Sequence, residues 1–232
     1  MMQRLGRGLR WALLGVIGLF FAWQLWLLGW VMFWGWFNPG TTRFMEIRLA
    51  ELRVKTPDAQ LKHQWVPYER ISVHLKRAMI ASEDAKFVDH EGFDWEGIQK
   101  AIEKNQKKGR FVAGGSTISQ QLAKNLFLTP TKSMFRKAEE AIITLMLETL
   151  WSKQRIFEVY LNVIEWGNGV FGAEAAARHY YNSSAAQLGP EQAAKLAGMV
   201  PNPRFYDRNR NAPGLARKTA IILGRMPSAE LP

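Results

Sequence analysis

A carboxylate, an aromatic ring and an imidazole lie close together in the segment ASEDAKFVDHEGFD, residues 81–94. If this segment is helical, Glu83, Phe87 and His90 share one face, because they are four and then three residues apart. A carboxyl group in partly apolar surroundings has a raised pKa, since burial disfavours its charged form, and it can then act as a general acid or base near neutral pH. The alternative interpretation is ordinary surface charge.

A second polar segment is GGSTISQQLAKN, residues 114–125. Its two glycines precede a predicted helix start, where unpaired backbone N–H groups favour an anion, and Ser116 and Thr117 add hydroxyl donors. Gln121 and Lys124 follow Thr117 by four and seven residues and extend the polar face along the helix. No lysine precedes the hydroxyls as in a Walker-type loop. The pattern fits a phosphate cradle, although composition alone favours the alternative, a capped surface helix.

A third segment, RKAEEA, covers residues 136–141. Arg136 and Lys137 precede Glu140 by four and three residues, so the two cations and the carboxylate share a helical face. This is either a surface ion pair worth roughly 0.3–0.5 kcal/mol or a pyrophosphate clamp beside a second functional carboxylate. Two glutamates from different helices are the minimum for glycosyl chemistry.

The elements that must position these segments are predicted to be almost all helical, and no run alternates convincingly as a strand. One helix is expected to bury Trp95, Ile98, Ala101 and Ile102, and the helix KQRIFEVYLN to place Ile156, Tyr160 and Val163 in the core. Residues 200–213 are predicted to form a loop and residues 213–226 a final helix. The expected helix boundaries are N-caps at Ser72, Asp94 and Ser152, ends at Gly109, Gly167 and Asn182, and Pro190 at a first helical position.

Residues 11–37 form an apolar run without a charge. As a helix of about 1.5 Å per residue it would be ~40 Å long, enough to cross a hydrocarbon core of roughly 30 Å. Arginines precede it and tryptophans crowd its far end, which predicts a retained anchor with a cytoplasmic N-terminus. The expected organisation is a cytoplasmic tail (1–10), a transmembrane anchor (11–37), a linker and membrane-proximal segment (38–64) and a mainly α domain (65–232).

The composition narrows the class of protein. The 232 residues carry a formal net charge of +11 and no cysteine, which excludes disulfides and thiolate metal sites. All the acidic residues follow the apolar run. If that part of the chain lies outside the cytoplasm, nucleic acid is not an expected partner, and the basic charge is expected to meet phosphate groups at the outer membrane surface.

In order and separation, EDAKFVDHEG, GGSTISQQLAKN, RKAEE and KQRIFEVYLNVIEWGNGVFG resemble the motifs of the family 51 glycosyltransferases. These are the peptidoglycan glycosyltransferases of bifunctional penicillin-binding proteins and of short monofunctional enzymes. The similarity covers about residues 65–207. It implies a lysozyme-like, mainly α fold that polymerises lipid II at the outer face of the inner membrane. Because the chain ends at Pro232 with no room for a transpeptidase domain, the resemblance is to the monofunctional type.

The resemblance also implies roles for individual residues. Glu83 would be the general base for the 4-hydroxyl of the acceptor sugar, and Glu140 the second essential glutamate, near the anomeric centre and pyrophosphate of the donor. The positions that match substrate-contacting residues or complete the motifs are Asp84, Phe87, His90, Ser116, Thr117, Gln121, Lys124, Arg136, Lys137 and Lys153.

Three alternatives stay open at this point. They are a lytic or hydrolytic glycosidase on the same fold, a non-catalytic anchored partner of a wall-synthesis complex, and a basic protein that binds anionic lipid. The sequence requires no cofactor and shows no metal-ligand set, although Mg²⁺ or another divalent cation is compatible with a pyrophosphate leaving group. The expected partners are lipid II, the growing glycan strand and membrane lipid, and penicillin-binding and division proteins are candidates.

Overall fold

The computed structural model describes residues 2–110, 114–131 and 133–232, with side chains from residue 10 onward. The chain divides into two compact units, one ending at Asn38 and the other covering Pro39–Pro232. In the first unit, helix α1 covers Met2–Trp36. Its Arg10–Trp36 part has 27 residues and a mean hydropathy of 1.9, which is long and apolar enough to cross a membrane.

The second unit is mainly α, as the sequence predicts. Its described helices are α2 (Arg43–Lys55), α3 (Val73–Glu83), α4 (Trp95–Lys108), α5 (Ile118–Phe127), α6 (Met134–Leu150), α7 (Lys153–Val163), α8 (Ala173–Tyr181), α9 (Pro190–Met199), α10 (Pro203–Arg208) and α11 (Pro213–Arg225). Single 3₁₀ turns occur at Tyr68–Arg70, Ala185–Gln187 and Met226–Ser228. Residues 39–64 belong to this unit, while the boundary predicted between residues 64 and 65 stays a prediction.

The predicted helix boundaries agree with the structure in most cases. The side chains of Ser72, Asp94 and Ser152 each accept a hydrogen bond from a backbone N–H in the first turn of the helix that follows. Gly109 and Asn182 end their helices in the left-handed conformation. These short polar caps are local features, so they can be located from sequence alone.

Three expectations about elements outside the first polar segment are wrong. Helix α7 ends at Val163, and a small sheet follows in which β1 (Lys62–His63) pairs parallel with β3 (Val170–Phe171), while β2 (Glu165–Gly167) pairs antiparallel with β3. The predicted loop at 200–213 contains helix α10. On α4, Ala101 is buried, but Trp95 and Ile102 are more than half exposed, so the apolar face predicted there is not covered.

The core lies around α7, whose Ile156, Phe157, Tyr160 and Val163 have no solvent exposure. Helix α5 packs against α6 and α7, and α9 packs against α3 and α11. Helix α3 ends within the first polar segment, α5 carries most of the second, and α6 carries the third. The packing of this unit therefore brings together residues from three separate parts of the sequence.

Candidate active site

The structure ends helix α3 at Glu83, so the sequence-based expectation that Glu83, Phe87 and His90 share a helical face is wrong. Asp84 is the C-cap, and residues 85–92 form turns. The reason is the Asp84 carboxylate, which accepts a hydrogen bond from the backbone N–H of Ile118 (3.0 Å) at the start of α5. This tertiary hydrogen bond joins the first polar segment to the second.

Glu83 is a partly buried carboxyl group held by neutral donors. Gln121 Nε2 donates to Glu83 Oε2 (3.0 Å) and Ser82 Oγ donates to Oε1 (3.2 Å). Burial raises the pKa of Glu83 above its ordinary value of 4.5, against the hydrogen bonds from Gln121 and Ser82 and the charges of Lys218 and Lys124, which lower it. Such a carboxyl group is suited to accept a proton near neutral pH.

Gln121 is itself held in place by the core. Its Oε1 accepts a hydrogen bond from the hydroxyl of Tyr160 (2.9 Å), and Tyr160 is fully buried. Burial, followed by the charges of Glu83 and Asp84, raises the pKa of Tyr160 well above its ordinary value, so the hydroxyl keeps its proton and donates. The two hydrogen bonds, from Tyr160 to Gln121 and from Gln121 to Glu83, therefore point the amide N–H of Gln121 at the carboxylate of Glu83.

Phe87 and His90 support this arrangement from the turns after α3. Phe87 is fully buried, with its ring 5.5 Å from that of Phe157. His90 Nε2 donates to the Asp84 carboxylate (3.0 Å), and the backbone N–H of Gly92 donates to His90 Nδ1 (3.1 Å). Both ring nitrogens are therefore engaged within the protein, which indicates a positioning role for His90.

Gly92 has a conformation that only glycine adopts easily. Its φ is +89°, and a Cβ at this position would lie 2.8 Å from Thr144 Cγ2. The Gly92 carbonyl accepts a hydrogen bond from the Thr117 hydroxyl (2.7 Å). Thr117 also caps α5 in a capping box with Gln120, so its hydroxyl is used within the fold.

Packing also explains a glycine in the loop that precedes α5. A Cβ on Gly115 would lie 2.9 Å from the Ile98 Cα of helix α4, so this glycine permits a close approach between backbones. Ser116, the next residue, is exposed, and its Oγ lies 3.5 Å from Lys137 Nζ. The loop thus presents the Ser116 hydroxyl group to Lys137 of the third polar segment.

Glu140 is buried between two cations. Arg136 NH1 lies 2.6 Å from Glu140 Oε2, and Lys137 pairs with Oε1. The side chain of Glu140 is 4% exposed, that of Arg136 17% and that of Lys137 44%. The ion pair predicted from the spacing is therefore present and mostly buried, unlike an ordinary surface pair.

Lys124 links the two glutamates electrostatically. It is partly buried, and burial lowers its pKa, while the charges of Glu140 and Glu83 raise it and those of Arg136 and Lys137 lower it. Lys124 thus lies within the field of both carboxylates. The site that results has one carboxyl group held by neutral donors, one salt-bridged carboxylate, and the cation Lys124 in the field of both.

Lys153, singled out on the α7 helix, is tied into the scaffold. Its Nζ lies 2.9 Å from Glu148 Oε1, donates to the His90 carbonyl and lies 4.7 Å from the centre of the Phe87 ring. Glu148 also accepts a hydrogen bond from Ser119 of α5. These contacts connect the start of α7 with the turns that follow Glu83.

Sequence reasoning missed three contributors to this site: Tyr160, assigned only to the core, Glu148 and Lys218. The signal for Glu148 was a single carboxylate in the otherwise apolar stretch TLMLETLW. No local signal marks Lys218, because it reaches the field of Glu83 from α11, far along the chain. Among the described residues, no group of three or more histidine, aspartate or glutamate side chains is placed to hold a metal ion.

Comparisons with known proteins show the family of the chain. The family model described as transglycosylase matches residues 50–227. The chain is 84% identical to the biosynthetic peptidoglycan transglycosylase of Dechloromonas aromatica (strain RCB) over 100% of both chains. It is 63% identical to the protein of that name from Chromobacterium violaceum, over 95% of this chain and 96% of the relative. It is 62% identical to the protein of the same name from Azoarcus sp. (strain BH72), over 100% of both chains. The chain belongs to the transglycosylase family.

Proposed function

We propose that this protein polymerises lipid II into the β-1,4-linked glycan strands of peptidoglycan and releases undecaprenyl pyrophosphate. The observation that carries the proposal is the presence of two glutamates in unlike environments that share the nearby cation Lys124. Glu83 is a carboxyl group with a raised pKa, and Glu140 is a buried partner of Arg136 and Lys137. The names of the curated relatives support the same activity.

In this proposal Glu83 is the general base. It accepts the proton of the 4-hydroxyl of the acceptor sugar as that oxygen forms a bond to C1 of the donor sugar. The bond from C1 to the pyrophosphate oxygen breaks, and its electron pair leaves with the lipid pyrophosphate. One in-line displacement converts the α-linked donor into a β-1,4 bond. Gln121 orients the carboxylate through its hydrogen bond to Oε2.

The cations receive the charge that develops on the leaving group. Lys124, Arg136 and Lys137, with the hydroxyl of Ser116, form a positive surface suited to a departing pyrophosphate. Glu140 holds Arg136 and Lys137 in place through its ion pairs. A hydrolytic glycosidase needs no such group of cations, so their presence favours transfer from a lipid pyrophosphate over hydrolysis.

Five further residues act as positioning residues in this proposal. Asp84 and Thr117 fix the start of α5, which carries Gln121 and Lys124. Phe87, His90 and Lys153 fix the turns after Glu83. Their substitution should move Glu83 relative to Gln121 and lower turnover without removing a reacting group.

The proposed location is the inner membrane, with one pass, a cytoplasmic N-terminus and the catalytic domain on the outer face. The apolar helix Arg10–Trp36 and the arginines before it support this topology. Penicillin-binding and division proteins are proposed neighbours. The proposal requires no cofactor, and Mg²⁺ or another divalent cation is compatible with the pyrophosphate leaving group.

The experiment is an incubation of the full chain in detergent with labelled lipid II, beside Glu83→Gln. We expect muramidase-sensitive polymer from the wild type and none from the variant. Polymer from both would remove Glu83 from its assigned role. No polymer from either, with cleavage of preformed glycan by the wild type, would favour the hydrolytic alternative.

A further inference from the structure

A cavity of about 500 Å³ is lined by none of the residues of the candidate active site. It is lined by α2, by β2 and the turn that follows it, and by α10, and it shares no lining residue with the glutamate and cation groups described above. Its volume falls within the range of about 300–1,000 Å³ that small-ligand sites occupy. The proposed glycosyl transfer assigns it no role.

Glu165 forms a buried part of the wall. The residue is 7% exposed, and its Oε2 lies 3.3 Å from Arg48 Nε. Its other oxygen, Oε1, is buried and has no hydrogen-bond partner among the described residues. Buried carboxylate oxygens in folded proteins normally have donors, so Oε1 of Glu165 is open to a donor group from a ligand.

The cations of the cavity fall into two groups. Arg48 and Arg204 are paired with Glu51, at 2.6 and 3.4 Å. Lys55 and Arg208 are exposed, and within the described part of the chain neither has a carboxylate within 4.0 Å. The cavity therefore offers one unpaired buried acceptor and two unpaired cations at its rim.

This charge distribution argues against a purely anionic or a purely cationic ligand. An anion alone would lie beside the carboxylates of Glu51, Glu165 and Asp207, while a cation alone would face Lys55 and three arginines. A molecule with both an ammonium and a carboxylate group meets both halves of the wall favourably.

We propose that this cavity binds a short peptide with a free ammonium group and a free carboxylate. The ammonium group donates a hydrogen bond to Glu165, and the carboxylate pairs with Lys55 and Arg208 at the rim. A peptide of about three small residues spans ~10 Å when extended, which suits a cavity of this size.

Calorimetric titration of the full chain in detergent with trialanine tests this proposal. Two matched probes remove one charge each, namely N-acetyl-trialanine, which lacks the ammonium group, and trialanine amide, which lacks the carboxylate. We expect saturable binding of trialanine, with a Kd at least about tenfold lower than that of either blocked peptide. Equal binding of the three peptides, or no saturable binding of trialanine, would overturn the proposal.

Variants of the protein test which residues bind each end of the peptide. Glu165→Gln should weaken trialanine and trialanine amide and leave N-acetyl-trialanine nearly unchanged, so that trialanine and N-acetyl-trialanine then bind alike. The double variant Lys55→Ala with Arg208→Ala should weaken trialanine about tenfold or more and trialanine amide much less. Because these two side chains are exposed, the double variant should fold normally even if Glu165→Gln does not.

The matched control is Arg225→Ala, which removes an exposed cation of α11 outside the cavity and should leave the Kd unchanged. An unchanged Kd in the double variant would contradict the proposal. The readout is binding of a peptide, whereas the proposed glycosyl transfer is read as polymer from lipid II, so failure of one leaves the other standing.

Discussion

Glu83 and Glu140 are the same residue type in two different environments. Glu83 accepts hydrogen bonds from the neutral side chains of Gln121 and Ser82, and burial raises its pKa. Glu140 is more deeply enclosed, but it has a cation on each oxygen. The first arrangement favours a group that accepts and releases a proton, and the second favours a carboxylate that holds cations in place.

The difference arises from which side chains the fold brings to each carboxylate. Glu140 receives its partners from its own helix, three and four residues earlier. Glu83 receives its main partner, Gln121, from α5, and that residue is oriented by Tyr160 of α7. The local pair could be predicted from spacing, whereas the tertiary one needs the packed structure.

The largest expected effect is the loss of polymerisation when Glu83, the proposed base, is substituted. Glu83→Gln keeps the shape of the side chain but cannot accept the proton, so we expect polymerisation to fall by roughly 10²–10⁴-fold. The rate of polymer formation from labelled lipid II measures this loss. Glu139→Gln, a substitution of the carboxylate next to Glu140 in the sequence, is the matched control and should retain most activity. A rate within a few-fold of wild type for Glu83→Gln would contradict the assignment.

The two cations of Glu140 should differ in their importance. Arg136→Ala removes the less exposed partner at 2.6 Å, while Lys137→Ala removes one that is nearly half exposed. We expect Arg136→Ala to lower Tm and donor use more, because loss of a buried ion-pair partner costs up to about 3–5 kcal/mol and an exposed one about 0–1 kcal/mol. Thermal unfolding and polymer yield at limiting lipid II measure both. Equal effects would show that burial does not distinguish the pair.

Removal of the hydrogen bond from Gln121 to Glu83 should change the pH dependence of kcat/KM. That bond lowers the pKa of Glu83, so Gln121→Leu should raise this pKa further. The acid limb of kcat/KM reports protonation of the free enzyme's base, and we expect it to move to higher pH in the variant. A limb that stays in place, or moves to lower pH, would contradict the proposed contact.

Glu83→Gln should also have a smaller effect, on how the stability of the protein depends on pH. Because the pKa of Glu83 is raised above its ordinary value of 4.5, the stability contributed by its protonated form is present below that value and is lost as pH rises through the folded-state pKa. Gln cannot ionise, so Glu83→Gln should gain stability relative to wild type as the pH rises, and the difference should disappear in acid. Each kcal/mol corresponds to about 2–4 °C in Tm for a chain of this size. A difference in Tm that does not depend on pH would contradict this expectation.

Local patterns predicted the helical class, the caps and the ion pairs of Glu140. They failed where tertiary contacts decide the outcome. The segment after Glu83 leaves the helix because Asp84 bonds to the start of α5, and β1–β3 are too short for an alternating pattern to appear. Periodicity marked Trp95 and Ile102 as apolar but did not indicate whether another element covers them.

The polar segments of the candidate site could be predicted from the sequence, but the contacts between distant residues could not. The polar segments could be found by residue type and spacing, and their family resemblance connected them to glycosyl transfer. Lys218 could not be found in this way, because its influence on Glu83 depends on the packing of α11 with α3 and α9. The same is true of Tyr160, whose hydroxyl reaches the site from a helix that is otherwise core.

The state of Glu83 can be measured directly by a carboxyl ¹³C NMR titration of the full chain labelled at glutamate, with the Glu83 signal assigned by Glu83→Gln. The account predicts that the Glu83 signal titrates above the ordinary value of 4.5, and that Gln121→Leu moves this midpoint upward. A Glu83 midpoint at or below 4.5 would contradict the central claim that the fold prepares this carboxyl group to act as a base.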